Sequence, residues 1–216
     1  MIDVHILHLE SENKDWKKEC LISLEQETNI VIHSLPGIFR NIKQSRINGY
    51  STGTNEYVSF VDPDDLIEPG IFAKCERVLD LNPHLVGVYT RSSIIDEHSN
   101  IVQQYMRNYR EWRDIYMYQD LFEIHQLVVI RRKFSDIVNR QIQLLTDEGR
   151  HTSSTYIEHL RYTLLSTLGP WKALPDLGYH WRKDGNGGRY NNGYSAKNIA
   201  EYHRLVSYLA RRAAIQ

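Results

Sequence analysis

Cysteine is scarce in this chain of 216 residues, which holds only Cys20 and Cys75. Two thiols cannot make a disulfide framework or, alone, a structural zinc site, and they suit a reducing compartment. Glycine and proline are also few, 12 and 6, while aromatics reach 11%. That balance excludes collagen, coiled coil and wholesale disorder. No apolar run approaches the roughly 18 residues that a membrane span needs. The opening Met1-Ile2-Asp3-Val4-His5 has neither the basic flank nor the apolar stretch of a leader peptide. The expectation is a soluble, cytoplasmic protein, one domain over residues 1–216, long enough to bury a core.

Net charge is near balance, −1, yet the two halves differ. Residues 1–100 hold 9 Lys/Arg against 16 Asp/Glu, and residues 101–216 hold 17 against 11. Residues 178–216 alone hold 7 against 2. An acidic front can hold a cation and a basic rear suits an anion. Scatter on a solvated surface is the plain alternative.

Periodicity gives an alternating order in the first half. Val4–Leu9 reads as a buried strand, and Trp16, Cys20, Leu21 and Leu24 recur at helical spacing from about Asp15. Asn29–His33 reads as a strand, 39–51 as a helix, Glu56–Val61 as a strand, 69–81 as a helix and Leu85–Thr90 as a strand. This is the order of a mostly parallel sheet covered on both faces, with ligands beyond the carboxyl ends of the strands. Glu10, His33 and Asp62 are expected at that edge. The second half is less regular. A hairpin is expected over 94–104, strands over 125–131 and 171–179, and helices over 156–168 and from about 196. The loop 184–193 is rich in Gly and Asn.

The sharpest chemical feature is Asp62-Pro63-Asp64-Asp65, delivered by the apolar strand before it. Alternation would turn Asp62 and Asp64 to one side, where two hard oxygen ligands suit Mg²⁺ or Mn²⁺ shared with phosphate. An acidic loop capping the next helix is the bland alternative. The setting of this motif is more specific than the motif. The stretch from Ser45 to Asp65 resembles the signature of the inverting GT-A-fold nucleotide-sugar glycosyltransferases of the family 2 type. There a helix A-R-N-x-G leads through a G-E-Y turn into a strand ending D-x-D-D. Arg46, Gly49, Glu56, Tyr57, Asp62, Asp64 and Asp65 fall in register without a gap. Cys20-Leu21-Ile22-Ser23-Leu24, with Gln26, is similar to that family's first helix. Val88-Tyr89-Thr90 and Ile95 to Asn100 are similar to its next strand and hairpin.

The resemblance implies a GT-A-like α/β fold: a mostly parallel, Rossmann-like sheet with helices on both faces, plus a mixed acceptor half. Residues 1–100 would bind the nucleotide sugar, and 101–216 the acceptor. Asp62 and Asp64 would hold the metal, and Arg46 would approach the nucleotide. Glu10 and Ser11 would border the base. His33 stands where the family commonly places an Asp near the base, and a UDP-sugar is the expected donor. Asp65 joins the donor-binding set. Tyr179-His180-Trp181-Arg182 resembles the family's Y-x-Y-R ending, without the histidine often found beyond it. Arg182 and Lys183 open a basic loop suited to covering a diphosphate. The family's general base is the Asp of an E-D pair about a dozen residues before a Gly. Counting back from Gly169 aligns Ile157-Glu158 with that pair, so Glu158 is the expected base and His159 the runner-up.

The expected activity is metal-dependent sugar transfer to an anionic acceptor. One acceptor class is a cell-surface glycan or lipid-linked saccharide at a membrane face. The other is duplex DNA carrying hydroxymethylated bases, for which the basic and aromatic residues between Tyr105 and Tyr118 are suited. A haloacid-dehalogenase phosphatase also ends a strand in D-x-D, but on its first strand and with a different continuation. A non-catalytic sugar-nucleotide or nucleic-acid binding module is the third class.

Overall fold

The computed structural model of the chain describes residues 1–10, 12–39, 41–104, 124, 126–147 and 157–183. One sheet organises them, in the order β2-β1-β3-β7-β5-β8-β4, with β6 paired to β5. Strands β1 (Ile2–His8), β2 (Ile30–Pro36), β3 (Tyr57–Val61), β5 (Gly87–Ile95) and β8 (Trp171–Arg182) all run one way. The short β4 (Leu66–Ile67), β6 (Ile101–Gln103) and β7 (Val128–Arg131) run opposite to their partners. β7, from the second half of the chain, lies between β3 and β5 of the first half.

Helices cover both faces, as expected. α1 (Lys14–Glu25) and α3 (Ile71–Leu81) bury Cys20, Leu24, Phe72, Cys75 and Leu79 against one face. α2 (Ile42–Tyr50), α4 (Arg132–Asp147) and α5 (Ile157–Ser166) pack on the other. Strand alternation divides the side chains between the two cores. Val58 and Phe60 face the α2/α4/α5 side, while Tyr57 and Val61 face the α1/α3 side. α1 starts where the Asn13 side chain accepts the N–H groups of Asp15 and Trp16.

Several boundaries differ from the sequence reading. β2 runs on to Pro36, which places His33 in the middle of the strand, paired in register with His5. β5 continues from Thr90 through Ile95 because β8 pairs alongside it, a tertiary contact that local periodicity does not report. α4 was assigned no element from sequence, although Val138, Ile142 and Leu145 carry its buried stripe at helical spacing. The hairpin appears as expected, with Asp96 Oδ1 accepting the N–H groups of His98 and Asn100. The expected helix from 196 and the loop 184–193 lie outside the described residues.

Two glycines of the 45–65 stretch have steric reasons. A Cβ on Gly49 would stand 2.3 Å from the His5 ring, so α2 could not lie this close to β1. Gly53 has φ +81 and faces the Asp3 carboxylate. Asp3, 2% exposed, accepts from His33 Nε2 (2.8 Å), the backbone and side chain of Asn55, and Arg132 Nη2 (2.7 Å). This knot fastens β1, β2, the turn before β3 and α4 together. Replacing Gly49 by Ala is expected to destabilise the fold by about 1–3 kcal/mol through overpacking; an unchanged urea midpoint would contradict the close approach.

His5 is 1% exposed, between the rings of Tyr50 (4.7 Å) and Phe60 (5.8 Å), with neither ring nitrogen hydrogen-bonded. Burial first, then the charges of Arg46 and Arg161, holds it neutral to well below the ordinary 6.5. The unfolded chain takes up a proton there near pH 6.5 and the native chain does not. Stability is therefore full above that pH and falls as pH drops below it, by up to about 1.4 kcal/mol per unit. His5→Leu should flatten this slope in urea titrations at pH 7, 6 and 5; parallel slopes would acquit His5.

Candidate active site

The shared direction of β1, β3, β5 and β8 brings their carboxyl ends to one edge, where the chemistry-bearing residues gather. Asp62 is the first residue beyond β3. The DPDD segment is a turn, closed by the Asp65 N–H donating to the Asp62 carbonyl at 3.1 Å. Strand alternation therefore does not extend into it. Asp62 and Asp64 stay partly exposed, whereas Asp65 turns inward and is 1% exposed.

Asp65 and Arg182 build this turn from beneath. Tyr179 Oη donates to Asp65 Oδ2 (2.7 Å) and accepts the Asp62 N–H (3.1 Å). The Arg182 N–H donates to Asp65 Oδ1 (2.6 Å). The Arg182 guanidinium, 2% exposed, donates to the carbonyls of Asp64 (2.7 Å) and Asp96 (3.0 Å), to Ser99 Oγ (3.0 Å) and to Glu19 Oε2 (2.8 Å). Both residues were expected to meet the donor. Instead they are consumed in fixing the turn, because each polar atom finds a partner inside the protein. Burial, then the neighbouring Asp64 and Asp62 charges, pushes the Asp65 carboxyl well above the usual carboxylate range.

Arg46 is the centre of the arrangement. It is 4% exposed, with its guanidinium carbon 3.7 Å from the Phe60 ring centroid. Nη2 donates to Asp62 Oδ1 at 2.5 Å, and Nε forms an ion pair with Glu158 Oε1 at 3.0 Å. Gln126 Nε2 donates to the other Asp62 oxygen, Oδ2, at 3.1 Å. Tyr50 Oη donates to Glu158 Oε2 at 3.4 Å. Residues 46, 62 and 158 thus meet through one guanidinium. Burial alone would lower the proton affinity of Arg46, but Asp62 and Glu158 more than offset it and keep the group charged. Burial raises the Glu158 carboxyl above its ordinary value, against the pull of Arg46 and Arg161. A carboxylate with raised proton affinity at a ligand edge is suited to accepting a proton.

The other expected residues fall in different places. Glu10 is exposed just beyond β1, and Lys183 is exposed just beyond β8, its N–H donating to the Ile95 carbonyl. His159 is partly buried next to Glu158 on α5. His33 lies in mid-strand, three residues short of the end of β2, with its Nε2 hydrogen-bonded to Asp3. Ser11 and the basic, aromatic stretch 105–118 lie outside the described residues.

Three participants went unnoticed in the sequence. Gln126 holds Asp62, and Tyr50 holds Glu158. Glu12 stands near the acidic turn, its carboxyl raised by burial and by the Asp64 and Asp62 charges. Glu10 and Glu12 share one loop, and nothing local says which turns inward. Among the described residues no group of three His, Cys, Asp or Glu is placed to hold a metal ion. The donors at the turn are carboxylate oxygens, a set that fits Mg²⁺ or Mn²⁺ held jointly with ligand phosphates and not alone.

No family model matches the sequence, and no curated protein matches it. The fold, in contrast, is shared with solved structures. Crystal structures of S. aureus TarS 1-349 superpose with TM-scores of 0.60 for the UDP-GlcNAc complex and 0.61 for the UDP complex, each at 13% identity. Each superposition covers 96% of this chain and, respectively, 65% and 64% of that one. A further TarS structure gives 0.60 at 14% identity, and this chain spans 39% of it. The chain thus spans less than two thirds of these proteins, and what it shares with them is a GT-A-like fold. No helix among the described residues is long and apolar enough to cross a membrane.

Arg46→Met is expected to leave two carboxylates without their shared cation. The cost should be about 2–3 kcal/mol, below the roughly 3–5 of fully buried pairs because Asp62 keeps 27% exposure. Arg46→Lys should not rescue it, since one ammonium cannot fork to both partners. Denaturant titration measures both, and a loss under about 0.5 kcal/mol would mean the bridge contributes no more than a surface pair.

Proposed function

We propose that this chain is an inverting, metal-dependent glycosyltransferase that uses a nucleotide-sugar donor. The observation that carries the reading is the Asp62–Arg46–Glu158 bridge. It joins Asp62, which we read as the donor-phosphate carboxylate, and Glu158, which we read as the base, through one guanidinium at the ends of the parallel strands. The TarS complexes make UDP-sugars, and UDP-GlcNAc first, the donors to test.

In this reading Asp62 and Asp64 would hold a divalent cation, and Gln126 and Arg46 fix the Asp62 carboxylate. A cation bound there supplies neutralisation of the negative charge that builds on the leaving diphosphate. Glu158 accepts the proton of the acceptor hydroxyl as its oxygen attacks the sugar carbon. The new carbon–oxygen bond forms on the face opposite the breaking bond to phosphate, and the nucleoside diphosphate leaves with that electron pair. Arg46 keeps Glu158 oriented while the proton moves. The positive excess of residues 101–216 supports an anionic acceptor, which we assign to a glycan or lipid-linked saccharide.

Two substitutions test the roles. Asp64→Ala should retain the melting temperature of the free protein but abolish the rise produced by UDP-GlcNAc with Mn²⁺, because a ligand that binds only the native state raises it. Retention of that rise would remove Asp64 from the donor site. Glu158→Gln should keep the rise and lower transfer by about 10²–10⁴-fold. Full turnover in this variant, or a larger loss in His159→Ala, would take the base role from Glu158.

A further inference from the structure

Arg161 is fully buried, and among the described residues none of its guanidinium nitrogens has a hydrogen-bond partner. Burying a guanidinium without hydrogen bonds is expensive. Its carbon lies 3.7 Å from the Tyr50 ring centroid, and Nε stands 4.0 Å from Glu158 Oε2, one helical turn earlier. Arg46 faces the other oxygen, Oε1, from across the α2 interface. Each guanidinium lies over an aromatic ring, Arg46 over Phe60 and Arg161 over Tyr50. The two rings are 6.0 Å apart, edge to face, and both pack on His5. The carboxylate is therefore clamped between two arginines whose planes are set by a packed aromatic trio.

We propose that Arg161 is a positioning residue for the base: with Arg46 it brackets the Glu158 carboxylate, one arginine to each oxygen, and keeps it ionised and oriented despite burial. This rests on the assignment of Glu158 as base. The groups facing Glu158 are Arg46 and Tyr50 of α2, Asp62 beyond β3, and Arg161 and Tyr162 of its own helix. Neutral His5 lies behind the rings. Of these only Arg46 and Arg161 are cations, and Arg46 is shared with Asp62. Arg161 therefore supplies the positive charge that Glu158 does not divide with the donor site. The shared Arg46 leaves Glu158 short of one full counter-charge, and Arg161 makes up that deficit.

The test reads the protonation of Glu158 directly, from ¹³C-glutamate carboxyl titrations assigned with Glu158→Gln. It also reads the pH profile of UDP-GlcNAc hydrolysis with Mn²⁺. Removing a cation about 4 Å away should raise the Glu158 midpoint by about one unit or more. The acid limb of the kcat profile should move up with it in Arg161→Met. Arg161→Lys keeps the charge and should keep both within about 0.3 unit. Arg161→Gln is the second neutral variant, to be used if the methionine protein does not fold, and should behave as Met does. If Glu158→Gln removes hydrolysis but the neutral variants leave midpoint and limb in place, the positioning role is overturned. An equal shift in Arg161→Lys would overturn it as well, since charge would not be the agent. Undiminished hydrolysis in Glu158→Gln would instead sink the base assignment, and with it any role of Arg161 toward a base.

Discussion

A guanidinium that is almost wholly withdrawn from water has to be neutralised where it lies, and Arg46 sets that condition for the rest of the site. Two carboxylates meet the need, one at the end of β3 and one in the first turn of α5. Glu158 in particular needs the cation, since burial favours its protonated form. The consequence is mutual. Arg46 fixes Asp62, Asp62 and Glu158 keep Arg46 charged, and α2, β3 and α5 are held in one relation by a single contact point. The aromatic rings of Phe60 and Tyr50 supply the flat surfaces on which two guanidinium groups can be buried at all.

The same logic of pairing runs through the rest of the sheet. At the ligand edge, Tyr179 and Arg182 reach from β8 to hold the Asp62–Asp65 turn, so the late part of the chain shapes an acidic loop contributed by the early part. Away from it, Asp3 gathers His33, Asn55 and Arg132. Arg131, one residue earlier, is committed to Glu56 and to the Leu85 carbonyl. These buried charges take their partners from distant segments. That gives the mixed sheet its register and leaves the partly exposed Asp62 and Asp64 beside the buried network. Strands from the first hundred residues and from the rest of the chain are thus interleaved through β7 and β8 in one layer.

Much of the first hundred residues was legible because local signals and global architecture agree there. Short apolar runs marked β1 and β3, helical spacing marked α1, and the run from Arg46 to Asp65 carries a pattern specific enough to name a fold with GT-A character. Glycine at 49 and 53 fits that pattern for steric reasons that the structure makes explicit. The later half was harder. α4 has a clear apolar stripe that went unassigned, and β5 and β8 are longer than their own periodicity suggests because each extends along the other.

From residue order alone follow the strand–helix alternation, the acidic turn after β3, and the alignment that singles out Arg46, Asp62 and Glu158. These depend on interactions within a few residues or on a motif preserved in register. Which polar residues face a ligand and which are spent inside was decided only in three dimensions. His33, Asp65 and Arg182 look like site residues in sequence, yet they pair with residues 30 to 163 positions away, and Asp65 and Arg182 are buried in doing so. Gln126 and Tyr50 look ordinary in sequence, yet folding sets them against Asp62 and Glu158. The reason is physical: a charged side chain removed from water takes whatever partner the fold brings within reach, and that distance is not written in any local pattern.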